Sequence, residues 1–175
     1  RNIITSLLHH YSLENYENAL EFLFDKHRFS GRLDRKENLQ RQTEFPTYIS
    51  NWNNHYNAWK NFKKNFLLIK YEDLIDKPER EFLNISNYIS NILNIKITNK
   101  KITDAITKSS FKNLRNSEEK YGFSEAPIDA NTKKQKKFFN LGPNNNWQKL
   151  LPNKIRVKIE ERFKKEMIEL GYLNL

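Results

Sequence analysis

Apolar positions along this chain recur mostly at helical spacing. Residues 3–11 form a compact apolar run without Gly or Pro, which predicts a helix or the entry from a strand into one. Ser12 stands where it would cap a following helix, in which Leu13, Tyr16, Ala19, Leu20, Leu23 and Phe24 recur every three or four residues. The polar stretch 28–45 contains Gly31, ends before Pro46 and reads as an exposed connection. A further helix is expected from Tyr48, with Trp52, His55, Tyr56 and Trp59 on one face. Pro78 opens another, through about Ile92, with Phe82, Ile85, Ile89 and Ile92 turned inward. Short helices at 102–107 and 111–116 follow, then a loop over 117–146. A last helix is expected over 152–170, with Ile155, Ile159, Phe163 and Met167 four residues apart and Gly171 where a C-terminal cap belongs.

One segment departs from the helical pattern. FLLI, residues 66–69, is a short continuous apolar run, as in a strand buried on both faces of a parallel sheet, and it leads through Tyr71-Glu72-Asp73 into the Pro78 helix. That is half of a strand-helix-strand unit. No other stretch matches it, 94–98 being a weak second. A lone parallel strand leaves its backbone groups unpaired, so its sheet partners are expected elsewhere.

The 175 residues are 37% hydrophobic and 13% aromatic, enough for the core of one domain. With 31 Lys and Arg against 21 Asp and Glu, the net charge of +10 favours anionic partners such as nucleic acid, phosphate-bearing cofactors or acidic surfaces. The basic residues are scattered, apart from KKQKK at 133–137 and the pairs Lys63-Lys64 and Lys100-Lys101, so a solvated face accounts for most of them. The apolar runs fall far short of the ~18 residues a membrane span needs, and a soluble protein is expected. The absence of Cys excludes disulfides, a cysteine zinc site and a thiol nucleophile; with no signal-like stretch at the start, the expected location is cytoplasmic. No internal repeat is present.

Three segments carry candidate chemistry. Tyr71 follows the apolar run, where ligands bind in open α/β sheets, although a Tyr joining strand to helix above two capping carboxylates fits equally. KSSFKNLRN, 108–116, puts two hydroxyls ahead of a helix on which Phe111 and Leu114 share a face, suited to an anion or a base edge and also to an ordinary helix start. FFNLGPNNNW, 138–147, is a tight loop bracketed by aromatics, suited to a backbone cradle for phosphate or to an anchored surface loop.

Taken in order, RNIITSLLHHY, the W52, H55, W59 set, FLLIKYEDLIDKPEREF, SSFKNL, LGPNNNW and ELGYL resemble the sulfotransferases that use 3′-phosphoadenylyl sulfate (PAPS). That family shows an Arg-Asp-x-x-x-Ser-Leu-x-His-His-Tyr-like run, W…H…W, an apolar strand ending Tyr-Glu-Asp, Thr/Ser-Ser-Phe-x-x-Met, Arg-Lys-Gly…Gly-x-Trp and a final helix ending Gly-Tyr. The resemblance spans almost the whole chain. It implies an α/β domain with a P-loop-like parallel sheet flanked by helices, of which this chain is the mostly helical C-terminal part with about one clear strand, a single partial domain over residues 1–175.

By the same resemblance Ser6 falls on the Ser that contacts the 3′-phosphate of PAPS. Tyr71 falls on the adenine-side Tyr, and Ser109, Phe111 and Leu114 fall on the residues that surround the adenine. Gly142 matches the Gly of Arg-Lys-Gly, but Asn140 and Leu141 stand where Arg and Lys would be. Asn does not replace a bidentate guanidinium at equal strength, so affinity is lower, or Lys136 or Lys137 reaches in, or the loop is built differently. The phosphosulfate-cradling loop with its Lys, a second phosphate-contacting Arg and the His that serves as base are expected ahead of Arg1, so no residue here is assigned a catalytic role, none of the four His included. The expected activity is sulfuryl transfer from PAPS to a hydroxyl or amine of a small-molecule, glycan or lipid acceptor. No metal and no nucleic-acid partner is expected, and the segment alone is expected to be inactive. Residues 28–47 and 117–137 are the expected acceptor loops. Two alternatives stay open: a basic helical nucleic-acid-binding module, and a sulfotransferase-like domain without transfer activity.

Overall fold

The computed structural model describes residues 1–30, 47–62, 66–129 and 132–174. In chain order the elements are α1 (Ile3–His10), α2 (Tyr16–Phe24), β1 (Phe29–Ser30), β2 (Thr47–Tyr48), α3 (Trp52–Lys60), α4 (Tyr71–Asp76) and α5 (Pro78–Leu93). Then come α6 (Asn99–Lys108), α7 (Phe111–Tyr121), a 3-10 turn (Gly142–Asn144), α8 (Trp147–Leu150), α9 (Asn153–Arg162) and α10 (Lys164–Glu169). These residues divide into two compact units, one drawn from residues 1–64 and 147–175, the other from 65–146.

The first unit closes an apolar core because its helical spacings agree. Ile4 and Leu7 of α1, Ala19, Leu20 and Leu23 of α2, and Ile155, Ile159, Phe163 and Met167 of the C-terminal segment are all buried in one cluster. Each large side chain removed from water there contributes about 1.5–3 kcal/mol. Asn15, not Ser12, caps α2: its side chain accepts from the Asn18 N–H at 3.0 Å. Ser12 instead closes α1, its N–H donating to the His9 carbonyl at a φ of +50°. Asn51 caps α3 in the same way as Asn15 caps α2, accepting from Asn54 N–H at 3.1 Å. On α3 only part of the expected face is covered. Trp52 meets Phe163 edge-on at 5.3 Å, whereas Trp59 is half exposed and pairs with His55 and Phe62.

The expected C-terminal helix is interrupted at Phe163, the largest fully buried side chain, whose ring packs against Phe24 and Trp52. Its end follows expectation. Gly171 takes a φ of +72°, its N–H donates to Ile168 at 2.9 Å and that of Tyr172 to Met167 at 2.7 Å, the paired bonds of a Schellman cap. Arg1 ties the two ends of the unit together. Its guanidinium lies 4.2 Å from the Trp147 ring centroid, donates to the Tyr172 carbonyl and sits 3.1 Å from Glu160 Oε1, at an angle too oblique for a hydrogen bond.

The second unit is built from α4 to α7. Pro78 occupies the first turn of α5, where its missing N–H is not needed, and Asn94 at φ +51° ends the helix. Phe82 and Ile85 are half-buried, but Ile89 and Ile92 are 37% and 53% exposed, so the inward stripe on α5 is covered only along its first half. α7 extends to Tyr121, and residues 117–121, expected in a loop, are helical. The expected strand at 66–69 is not formed: those residues belong to no strand and Leu68 is 45% exposed. Residues 94–98 are likewise not a strand. Strand structure requires a neighbour to supply ladder hydrogen bonds; among the described residues β1 and β2 pair antiparallel, with Phe29 opposite Tyr48, and a single antiparallel bridge joins Ile128 to Gln135. The described residues are therefore mostly helical, with two two-residue strands at positions the apolar pattern does not mark.

Candidate functional site

Six of the seven residues expected to hold the nucleotide lie in the second unit, and the centre of their arrangement is α7. Phe111 begins that helix and Leu114 follows one turn later, both half-buried. Ser110 is the capping residue but makes no side-chain cap, and Ser109 ends α6 with its hydroxyl donating to the Ile106 carbonyl at 3.4 Å. The two hydroxyls therefore stand in a one-turn break between helices.

The structure brings Gly142 directly against Phe111. Gly142 has a φ of +53°, and a Cβ built there would lie 2.3 Å from two carbons of the Phe111 ring. A side chain there would require the ring to shift, and the backbone conformation is one that L-residues adopt only with strain. Gly is therefore favoured on two counts at this position. Phe111 also meets Phe139 edge-on at 6.5 Å, and Phe139 belongs to a cluster with Phe138 and Phe123 whose centroids lie 4.7 to 5.3 Å apart. Between these anchors Asn140 is exposed, its N–H donating to the Phe138 carbonyl at 3.0 Å.

Sequence reasoning missed the residue that holds this loop. Glu118 is 9% exposed, and its two carboxylate oxygens accept from the consecutive main-chain N–H groups of Phe138 and Phe139, at 2.5 Å and 3.0 Å. The signal was present: Glu118 stands seven residues after Phe111 and four after Leu114, at the inward position of the same stripe. An acid where the pattern calls for an apolar residue points to main-chain donors beneath it. The sequence marks Phe138 and Phe139 only as brackets of the loop and does not single out Phe123.

The other expected residues lie on other elements. Tyr71 is the first residue of α4 and 52% exposed; partial burial, more than the nearby Glu72 charge, raises its phenol above the ordinary value. Ser6 is in the first unit, the fourth residue of α1, on the half-exposed side next to buried Ile4, Thr5 and Leu7. Lys137, a candidate to replace the absent Arg, is paired with Glu119, which also lies 3.8 Å from Arg115; the hydrogen bond from Lys137 holds the Glu119 carboxyl below its ordinary range. Lys136 is half-buried, its N–H donating to Pro127 at 2.7 Å. Of the expected acceptor loops, residues 31–46 lie outside the described residues, and 117–121 are helix.

A shallow groove of about 500 Å³ runs along another face of α7, lined by Lys108, Asn113, Asn116, Ser117, Lys120 and Tyr121, none of them among the seven. Among the described residues no His, Cys, Asp and Glu cluster is arranged for a metal ion, and no helix is long and apolar enough to cross a membrane.

An aromatic face, adjacent hydroxyls and a glycine loop whose backbone approaches a ring are donors and surfaces of the kind an adenine nucleotide uses. Every one of the seven residues keeps solvent-accessible surface. Comparisons with curated proteins and with solved structures return no match. A model of the sulfotransferase domain, however, matches residues 1–171, nearly the whole chain. The chain thus belongs to the sulfotransferase domain family.

Proposed function

We propose that this chain binds 3′-phosphoadenylyl sulfate and supplies the 3′-phosphate and adenine side of the cofactor site in a domain that sulfates a hydroxyl or amine of a small-molecule, glycan or lipid acceptor. The observation that carries the reading is the seating of Gly142 on the Phe111 ring, which joins two motifs separated by thirty residues of sequence. Family membership supports a transferase and does not favour the nucleic-acid alternative.

When bound, PAPS supplies the sulfuryl group and a good phosphate leaving group. The chain's own residues bind and orient. Phe111 and Leu114 offer the adenine an apolar surface and Tyr71 its exposed ring; Ser109 and Ser6 offer hydroxyls, Ser6 to the 3′-phosphate; the loop at Asn140 and Gly142 offers main-chain and amide N–H groups. The two units are read as parts of one partial domain, whose sheet in the complete domain is P-loop-like, and the groups that act on the sulfuryl centre are assigned to the rest of that domain. Its location is read as cytoplasmic.

The test is ligand choice. Adenosine 3′,5′-bisphosphate raises the melting temperature of the protein where 5′-AMP at the same concentration does not, because only the former carries the 3′-phosphate. Equal effects of both, or stabilisation by oligonucleotides alone with steep salt dependence, overturn the reading.

A second reading, a sulfotransferase-like domain without transfer activity, rests on Asn140 and Leu141 in place of Arg and Lys and on Lys137 being engaged by Glu119. Asn140→Arg with Leu141→Lys tightens nucleotide binding if the loop is merely weakened. No change means that the loop does not face the nucleotide.

A further inference from the structure

We propose that Glu118 is a positioning residue for the glycine loop, its carboxylate fixing the main chain at Phe138 and Phe139 so that Asn140 and Gly142 are presented to the 3′-phosphate side of the nucleotide. The inference rests on the nucleotide reading above. It starts from an energetic anomaly: an ionised carboxylate withdrawn from water is costly unless its lone pairs find donors. Glu118, 9% exposed, meets that cost with two consecutive main-chain N–H groups, at 2.5 Å and 3.0 Å, from a segment twenty residues along the chain.

The adjacent glutamate provides the contrast. Glu119 is half-exposed and makes the surface pairs with Lys137 and Arg115, whereas Glu118 is turned inward and bonds only to backbone in the described contacts. Beyond Phe139, three main-chain hydrogen bonds of the loop are local: Asn140 N–H to Phe138, Asn144 N–H to Leu141 and Asn145 N–H to Gly142, each at 3.0 Å. Such bonds shape the turn but do not fix where it stands. Glu118 supplies a link to α7, the helix whose first residue is the ring that Gly142 touches. One rigid helix thus carries both the aromatic surface and the carboxylate that sets the loop against it. Two charge-assisted bonds donated to a buried carboxylate are worth more than the same number of neutral ones.

Glu118→Gln keeps the shape but leaves one acceptor oxygen and places an NH₂ group against a second N–H donor. In the full chain, amide hydrogen exchange at Phe138 and Phe139 accelerates in this variant. Affinity for adenosine 3′,5′-bisphosphate, measured by calorimetry, falls about tenfold, the equivalent of losing one hydrogen bond to a charged group, while affinity for 5′-AMP stays within about twofold. Glu79→Gln, at an exposed acid in the first turn of α5, is the control and leaves both affinities unchanged. Unaltered exchange at Phe138 and Phe139 overturns the inference. So does an equal loss for both nucleotides, which marks general destabilisation, or accelerated exchange with the preference for the 3′-phosphate intact. If Glu118→Gln does not fold, replacing the Phe139 amide by an ester removes the same bond from the other side and is read by the same pair of affinities. A wild-type protein that binds neither nucleotide sinks the nucleotide reading and this role with it, and the exchange measurement then still reports separately whether Glu118 holds the loop.

Discussion

The two units of this chain are held by different means. Among the described residues, eleven apolar side chains from Ile4 to Leu170 are buried in the first; in the second none is, and the two buried side chains are the carboxylates Glu81 and Glu118. Leu68, Ile75, Leu83, Ile92, Leu93 and Ile95 of the second unit are all more than 40% exposed. Helical spacing alone does not explain the contrast, since both units have it. What differs is coincidence: the stripes of α1, α2 and α9 meet in one cluster, while that of α5 is covered over half its length. The unit without an apolar core is the one that carries Tyr71, Ser109, Phe111, Leu114, Asn140 and Gly142. The proposed function accounts for this, since a surface that receives a ligand cannot also be consumed in packing.

The contrast breaks first where the core is densest. Phe163→Ala removes a ring 2% exposed that packs on Phe24 and Trp52, and is expected to cost about 3–5 kcal/mol, read as a loss of the main thermal transition. A cost below about 1 kcal/mol would mean that the first unit does not depend on its core. Gly142→Ala comes next. It forces a Cβ to 2.3 Å from the Phe111 ring at a φ of +53°, and about 1–3 kcal/mol of local strain is expected, with nucleotide binding lost and the first unit's unfolding unchanged. Calorimetry with and without adenosine 3′,5′-bisphosphate checks both halves. Leu83→Ala, on a side chain 46% exposed, is expected to change stability by no more than about 0.5 kcal/mol in a denaturant titration, in contrast with any core leucine of the first unit.

The smallest effect is acid sensitivity. Hydrogen bonds from Lys158, Lys60 and Lys137 hold the carboxyls of Glu17, Glu169 and Glu119 below the ordinary carboxylate range. A lowered folded-state pKa gives stabilisation that is present at neutral pH and lost as pH falls through the carboxylate range towards the lowered folded value. All three pairs are at the surface, so melting temperature should fall only slightly in acid, and less in salt. Glu17→Gln with Glu169→Gln should remove more of that dependence than Glu119→Gln, because two of the three pairs are in the first unit.

Much of this was legible in the chain. The Ile155, Ile159, Phe163, Met167 spacing and Gly171 gave the C-terminal core and its cap, since both depend on residues within a few turns of each other. The break at Phe163 was not legible, because it coincides with the packing of one large ring against α2 and α3. The capping role fell to Asn15 over Ser12, which the end of α1 already uses. The apolar run at 66–69 is the clearest misreading. Composition marks a segment able to be a strand, but a strand exists only with a partner, and partnership is not a local property. In the candidate site, Ser109, Phe111, Leu114 and Gly142 could be named from motif order, whereas Glu118 acts across twenty residues and is visible in sequence only as an acid on an apolar stripe.

The central claim, resting on the proposed function, is that the coreless second unit receives the nucleotide's adenine. Amide chemical-shift changes on titrating adenosine 3′,5′-bisphosphate into the isotopically labelled chain test it most directly. The expected result is shifts concentrated at residues 109–114 and 138–145, with residues 155–170 of the first unit's core unmoved. Shifts confined to other residues, or the absence of any at saturating nucleotide, would contradict it.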